Sequence, residues 1–262
     1  MKQILVIATG GTIACRSTEK GLMPQIEMED FLNYVPKIRE MCCLHAVQLM
    51  NLDSTNMQPE NWIAIADTIH KEYDRYDGFV VLHGTDTMAY TAAALSYLVQ
   101  NSRKPIVLTG AQKPINEDIT DAKSNVIQSI LYATSDASTN VSFVFDGEVI
   151  AGTRGRKVRS KSFNAFSSVN FPHKAVIRDN KVFHYIEEQG DEPVKFYDRL
   201  NENIFVLKLV PGMDAGILDY LKNRYDAVII EGFGVGGIPS LESMKYKEKI
   251  AELIDAGTEV VI

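Results

Sequence analysis

Short, almost wholly apolar runs alternate along this chain with amphipathic stretches, and that rhythm constrains the fold more than any other feature. In order come "ILVIA", a helical pattern from about Met28, "AVQLM", a helix opened by Pro59, "FVVLHG", and a helix after Asp86. "PIVLTG", a helix around "DAKSNVIQSILYA" and "VSFVF" follow. A strand with no polar face is buried on both sides, which calls for a mainly parallel sheet covered by helices on both faces. Pro59 suits the first position of a helix, where its missing N–H costs nothing. The helix it opens places Trp62, Ile65, Ala66 and Ile69 on one apolar stripe.

The alternation breaks after about residue 146. "DGEVIAG" and "AVIRDNKVFHYI" read as hairpins, the second turning at Asp179 and Asn180. The polar stretch "EEQGDEPVKFYDRLNEN" reads as a linker. Beyond it the β-α rhythm resumes through "IFVLKLV", "DAGILDYLKNR", "DAVIIEGFG", a helix near 241–255 and "TEVVI". The expected organisation is an N-terminal α/β domain over 1–190, a linker over 191–202 and a smaller C-terminal α/β domain over 203–262. A parallel strand at a sheet edge with nothing covering it is a poor terminus, so the second domain is expected to continue beyond Ile262.

A length of 262 residues accommodates such a large and small domain together. The net charge of −7 argues against the whole molecule binding nucleic acid or an acidic membrane. "MKQILVIATGG" carries one basic residue and a short apolar run, which reads as a first buried strand and not as a signal peptide. No stretch is long and apolar enough to span a bilayer. The cysteines, Cys15, Cys42 and Cys43, are odd in number with two adjacent, a poor disulfide framework that suits a reducing cytoplasm. "CCLH" crowds its donors onto one segment with no second pair at finger spacing, so these cysteines read as structural and no metal site is expected.

In open parallel sheets, ligands bind beyond the carboxyl ends of the strands. Four polar clusters fall at such ends: "ATGGTIA", "NLDSTNM", "HGTDT" and "TGAQKP". Each has a plain structural use. Gly10 and Gly11 could merely turn the chain, and Asp86 could be only the N-cap of the helix that follows. "GGT" is neither a phosphate loop nor a complete dinucleotide fingerprint. Taken together, the clusters supply threonine hydroxyls as nucleophiles and glycine-rich turns whose N–H groups can stabilise an oxyanion. A threonine needs a base. His83 at a strand end reads as structural. The run "TRGRKVRSK" holds Arg154, Arg156, Lys157, Arg159 and Lys161, of which four are expected to be solvated and one lysine could be drawn into a site.

"ATGGTIA" and "HGTDTM" together resemble the two threonine motifs of the bacterial-type L-asparaginases. "DSTNMQPENW" and "AFSSVNFP" are also similar to that family, particularly its cytoplasmic type I branch, so the resemblance runs over nearly the whole chain. It implies an amidohydrolase without a cofactor, in which Thr12 is the nucleophile and Thr85, Asp86 and Lys157 complete the catalytic set. It also implies that Ser54 and Thr55 hold the substrate's α-carboxylate while Asp86 holds its α-ammonium. The implied substrate is L-asparagine, with L-glutamine, one methylene longer, as a second amide. The implied protein is a cytoplasmic homodimer or homotetramer with no membrane or nucleic-acid partner. Two positions depart from the family pattern: no tyrosine occurs in "KGLMPQ", where Leu22 stands, and Gly237 replaces an asparagine that reaches a neighbouring subunit. Two other readings stay open, the ammonia-producing subunit of a tRNA-dependent amidotransferase and a non-catalytic amino-acid-binding module.

Overall fold

The computed structural model describes residues 1–18, 21–24, 33–188 and 192–262, with the side chains of 14–18 and 21–24 outside that description. The helix expected from about Met28 and the side chain of Leu22 therefore lie outside the described residues. The chain divides into two compact units, Met1–Arg199 and Leu200–Ile262.

An eight-stranded sheet forms the first unit. From one edge its strands run Lys181–His184, Ala175–Arg178, Glu148–Ala151, Val141–Phe145, Ile106–Thr109, Gly78–Leu82, Gln3–Gly10 and Cys43–Leu52. The last five pair in parallel, and the three at the other edge pair antiparallel. Side chains alternate between two buried faces. Ile4, Val6, Val80, Leu82 and Val107 share a core with Val126 and Ile130 of the helix Ala122–Ala133. Leu5, Ile7, Phe79, Val81 and Leu108 are equally buried, pointing to the other face. On that side the helices Pro59–Glu72 and Met88–Leu98 pack against each other. Two-sided burial is why these strands carry no polar alternation.

The Pro59 helix starts as its proline requires, and Asn61 Oδ1 accepts from the Gln58 N–H at 2.8 Å, covering one of the donors a helix start leaves open. Ile65 and Ile69 are wholly buried, each contributing on the order of 1.5–3 kcal/mol. Trp62 is half-buried. Its indole N–H donates to Thr91 Oγ1 at 2.9 Å. Asp179 and Asn180 both adopt positive φ, 50° and 57°, as a tight two-residue hairpin turn demands. The other expected hairpin joins "VSFVF" to Glu148–Ala151 through Asp146 and Gly147.

The second unit has a parallel sheet of Ile204–Lys208, Ala227–Glu231 and Glu259–Val261, in that order. Leu207, Val228 and Ile230 pack with Leu218, Leu221 and Leu253 from its helices Ile217–Leu221 and Tyr246–Asp255. Gly237 is paired with Phe233 through two backbone hydrogen bonds of 2.7 Å in the loop after the central strand. No described helix is long and apolar enough to cross a membrane.

Candidate active site

All four polar clusters follow parallel strands and meet at one end of the sheet. Gly11 has φ +85°, and a Cβ there would lie 2.5 Å from the Gly84 nitrogen, so only glycine lets the first loop touch the third. Its N–H donates to Leu52 O at 3.1 Å, which ties it to the second loop. Thr9 Oγ1 donates to Leu82 O at 2.9 Å, and the His83 N–H donates to Thr109 O at 2.8 Å. Ile115 N–H reaches Ile13 O at 3.3 Å, closing the fourth loop on the first. Backbone geometry, more than side-chain packing, assembles this end of the sheet.

Thr12 opens a single 3-10 turn, Thr12–Ala14, and is half-buried. Thr85 is buried at 7% exposure, and its hydroxyl accepts from Lys157 Nζ at 2.8 Å. Lys157 Nζ also donates to Asp86 Oδ1 at 2.6 Å, a charge-assisted contact. Lys157 reaches them from the short hairpin of Gly155–Lys157 with Phe166–Ser168. Gly155 makes this approach possible, since a Cβ there would lie 1.9 Å from the Phe143 ring. Arg154, Arg156, Arg159 and Lys161 are exposed, whereas only 16% of the Lys157 side chain is. The expected division of the basic run, four solvated cations and one drawn inward, is what the structure has.

Ser54 is buried beside Gly84, where a Cβ would lie 2.6 Å from its hydroxyl oxygen. Thr55 is exposed, and both its N–H and its hydroxyl donate to Asp53 Oδ1 at 2.9 Å. Thr85, Asp86, Lys157 and Ser54 thus share one neighbourhood with the loop that carries Thr12, and Thr55 stands at its rim.

The plain capping use open to Asp86 needs correction. Asp86 is not the N-cap of the helix Met88–Leu98: that place belongs to Thr87, which makes no side-chain capping bond. Thr87 Oγ1 instead donates to Ser54 O at 2.7 Å, so both residues look away from the helix end and toward neighbouring loops. Some of the backbone donors in these loops already have partners. The N–H groups of Gly11, Gln112 and Lys113 are already committed, the last two to Asp121.

Gln112 is a site residue that sequence reasoning misses. Thr85 Oγ1 donates to Gln112 Oε1 at 3.3 Å, and Gln112 Nε2 donates to Ser162 O at 3.2 Å. Behind it the buried Asp121 accepts from Asn125 Nδ2 at 3.2 Å, and Asn125 also donates to Gly110 O. Burial lifts the Asp121 carboxyl above the usual carboxylate range, while those N–H donors pull it back. The glutamine in "TGAQKP" is the available signal, and only the fold aims it at Thr85.

His83 is structural. It is fully buried, with Nδ1 2.7 Å from Gly84 O and Nε2 2.8 Å from Thr91 Oγ1. A carbonyl only accepts, so Nδ1 carries the proton and Thr91 donates to Nε2. Burial pushes the imidazole down to about 4, against the Gly84 hydrogen bond that favours the charged form. Since the folded value lies below the unfolded one, the stability tied to His83 is complete above about pH 6.5. It is lost as pH falls toward about 4, roughly 3 kcal/mol in all. Urea midpoints across that window should therefore drop less in His83→Gln than in the parent. Parallel pH curves for the two proteins would rule this assignment out.

Cys42 is buried in the core, with its thiol pushed up to about 11 first by burial and then by Cys43. Among the described residues no three His, Cys, Asp or Glu side chains gather in a way that could hold a metal ion.

Residues 3–189 match the family model for Asparaginase, N-terminal, and residues 203–262 match the Glutaminase/Asparaginase C-terminal domain. The chain belongs to the asparaginase family. It is 36% identical over 240 residues to an L-asparaginase of Thermococcus kodakarensis, covering 90% of this chain and 73% of that protein. It is also 36% identical over 255 residues to a glutamyl-tRNA(Gln) amidotransferase subunit of Pyrococcus abyssi, covering 92% of this chain and 58% of that one. The solved thermostable L-asparaginase from Thermococcus kodakarensis superposes with a TM-score of 0.90 at 34% identity, over 97% of this chain and 77% of that one.

Proposed function

We propose that the protein is an amidohydrolase that converts L-asparagine to L-aspartate and ammonia through an acyl-enzyme on Thr12. The observation that carries this reading is the lysine bound at once to a buried threonine hydroxyl and to a carboxylate, Lys157 with Thr85 and Asp86. A threonine oxygen is a weak nucleophile until its proton has somewhere to go. In this reading Thr12 attacks the side-chain amide carbon, Thr85 and Lys157 move protons, and the amide nitrogen leaves as ammonia. Water then cleaves the ester on Thr12 and releases L-aspartate. The substrate's α-ammonium pairs with Asp86, whose side chain is 59% exposed and so open to a ligand. Its α-carboxylate is assigned to Ser54 and Thr55, at the loop that abuts Gly84.

Ammonia release from L-asparagine and L-glutamine, measured in parallel without added metal or nucleotide, tests the proposal. Asparagine should turn over. A methylene distinguishes the two amides by only about 1–3 kcal/mol in most pockets, so the ratio of the two kcat/KM values is what sets the preference. No ammonia from either amide would favour the non-catalytic binding module.

A second reading, the ammonia-supplying component of a tRNA-dependent amidotransferase, is favoured by the likeness to the Pyrococcus abyssi protein and by the exposed cations at Arg154, Arg156, Arg159 and Lys161. Ammonia release that required a co-purifying partner chain and tRNA would support it over the first.

A further inference from the structure

We propose that Asp86 serves two cations in turn: the substrate's α-ammonium takes the carboxylate from Lys157, and that exchange converts the lysine into a base. The ammonium then contributes to turnover as well as to binding. The inference rests on the reading of the site as that of an asparagine amidohydrolase.

In the structure every proton around Thr85 points the wrong way for base catalysis. Lys157 Nζ donates to Asp86 Oδ1 at 2.6 Å and to Thr85 Oγ1 at 2.8 Å. A nitrogen that donates to the hydroxyl cannot at the same moment accept its proton. Thr85 sends that proton to Gln112 Oε1 at 3.3 Å. The amide of Gln112 is held in this orientation because its Nε2 donates to Arg159 O at 3.4 Å and Ser162 O at 3.2 Å, both of which can only accept. Hence the chain runs Lys157 to Thr85 to Gln112, and Asp86 anchors its cationic end.

Exposure decides which partner a ligand meets. The Asp86 side chain is 59% exposed and that of Lys157 only 16%, so an arriving ammonium reaches the carboxylate from the open side with the lysine behind it. Two unit cations on one carboxylate repel each other, and the one with the poorer hydration gains most by becoming neutral. Lys157 gives a proton to bulk water and keeps its contact with Thr85. Its free lone pair now accepts the Thr85 proton, which turns away from Gln112. The charge balance closes: one cation enters the site and one proton leaves it.

Succinamate, which is asparagine without the α-amino group, separates the two roles of the ammonium. Its binding is followed by competition against asparagine, and its turnover by ammonia release at saturation. The expected result is a kcat at least roughly tenfold below that for asparagine, beyond any rise in KM. In Asp86→Asn the lysine has no carboxylate to be freed from, so the ratio of the two kcat values should collapse toward one. Calorimetry of L-aspartate binding at pH 7, in buffers of different ionisation enthalpy, should register a released proton that succinate does not release. Equal kcat for asparagine and succinamate with only KM changed, or aspartate binding without proton release, would overturn the exchange. Should asparagine itself yield no ammonia, the functional reading fails instead, and the calorimetry, which needs no turnover, still decides whether the exchange occurs.

Discussion

Replacing Thr12 by alanine is expected to lower ammonia release from asparagine by roughly 10⁴-fold or more, while amino-acid binding and folding persist. The size follows from the role assigned to the oxygen. Without it no acyl-enzyme can form, and the remaining site can only position an amide for attack by water. The fold should survive because the loop is placed by its backbone: Gly11 lies against Gly84 and donates to Leu52 O, whatever side chain follows at position 12. Thr12 is also half-buried and lies outside the central core cluster. Steady-state kinetics beside aspartate calorimetry and a melting curve make the check. Turnover within tenfold of the parent, in a protein with the parent's melting curve, would remove Thr12 from the chemistry.

Lys157→Met should reduce kcat by roughly 10²–10⁴-fold, the usual worth of general acid–base assistance. Methionine keeps most of the stem volume and removes the ammonium, so Thr85 Oγ1 loses its 2.8 Å donor and Asp86 its 2.6 Å partner. The control lies one residue away. Arg156 belongs to the same short strand and is exposed, so Arg156→Met should change kcat by less than about twofold, as surface substitutions do. Thr85→Val in parallel removes the other end of the contact while keeping its shape, and it should resemble Lys157→Met in kcat. Equal losses in Lys157→Met and Arg156→Met would mean that the basic strand acts through its net charge, and the assigned proton route would fall.

Local chemistry makes much of this legible in the sequence. Each central strand is buried on both faces, so its residues are nearly all apolar, with Thr9, Thr109 and Ser142 the buried hydroxyl exceptions, and a parallel sheet is the arrangement that buries them so. Pro59 and the pair Asp179 and Asn180 act through their own φ angles, which no distant contact needs to supply. The threonine motifs are visible for a similar reason: glycine and polar residues at a strand end are unlike the apolar run before them.

Between the two uses open to Asp86, helix cap or site carboxylate, a local pattern lacks the information to choose. A carboxylate near a helix start can cap it, but Asp86 falls one residue before the N-cap, Thr87, and its oxygen accepts instead from Lys157, 71 residues later. Gln112 is hidden for the same reason, since an amide in a loop has no signature until a hydroxyl 27 residues away is set opposite it.

Read alone, the sequence therefore settles the central parallel strands, their burial on two faces and the end of the sheet where polar residues collect. These follow from φ preferences and from the water each side chain avoids, both properties of short segments. It misses the short pairs Gly155–Lys157 with Phe166–Ser168 and Val99–Gln100 with Lys195–Phe196, and the exposure of the edge strand Cys43–Leu52. The tertiary structure alone decided which partners Lys157 meets in the site and where the protons of Thr85 and Lys157 point. It also decided which backbone N–H groups are already bound. Such contacts depend on strand register, on crossovers between strands and on close approaches such as Gly11 to Gly84, and a hydrogen bond fails over an ångström that no periodicity encodes.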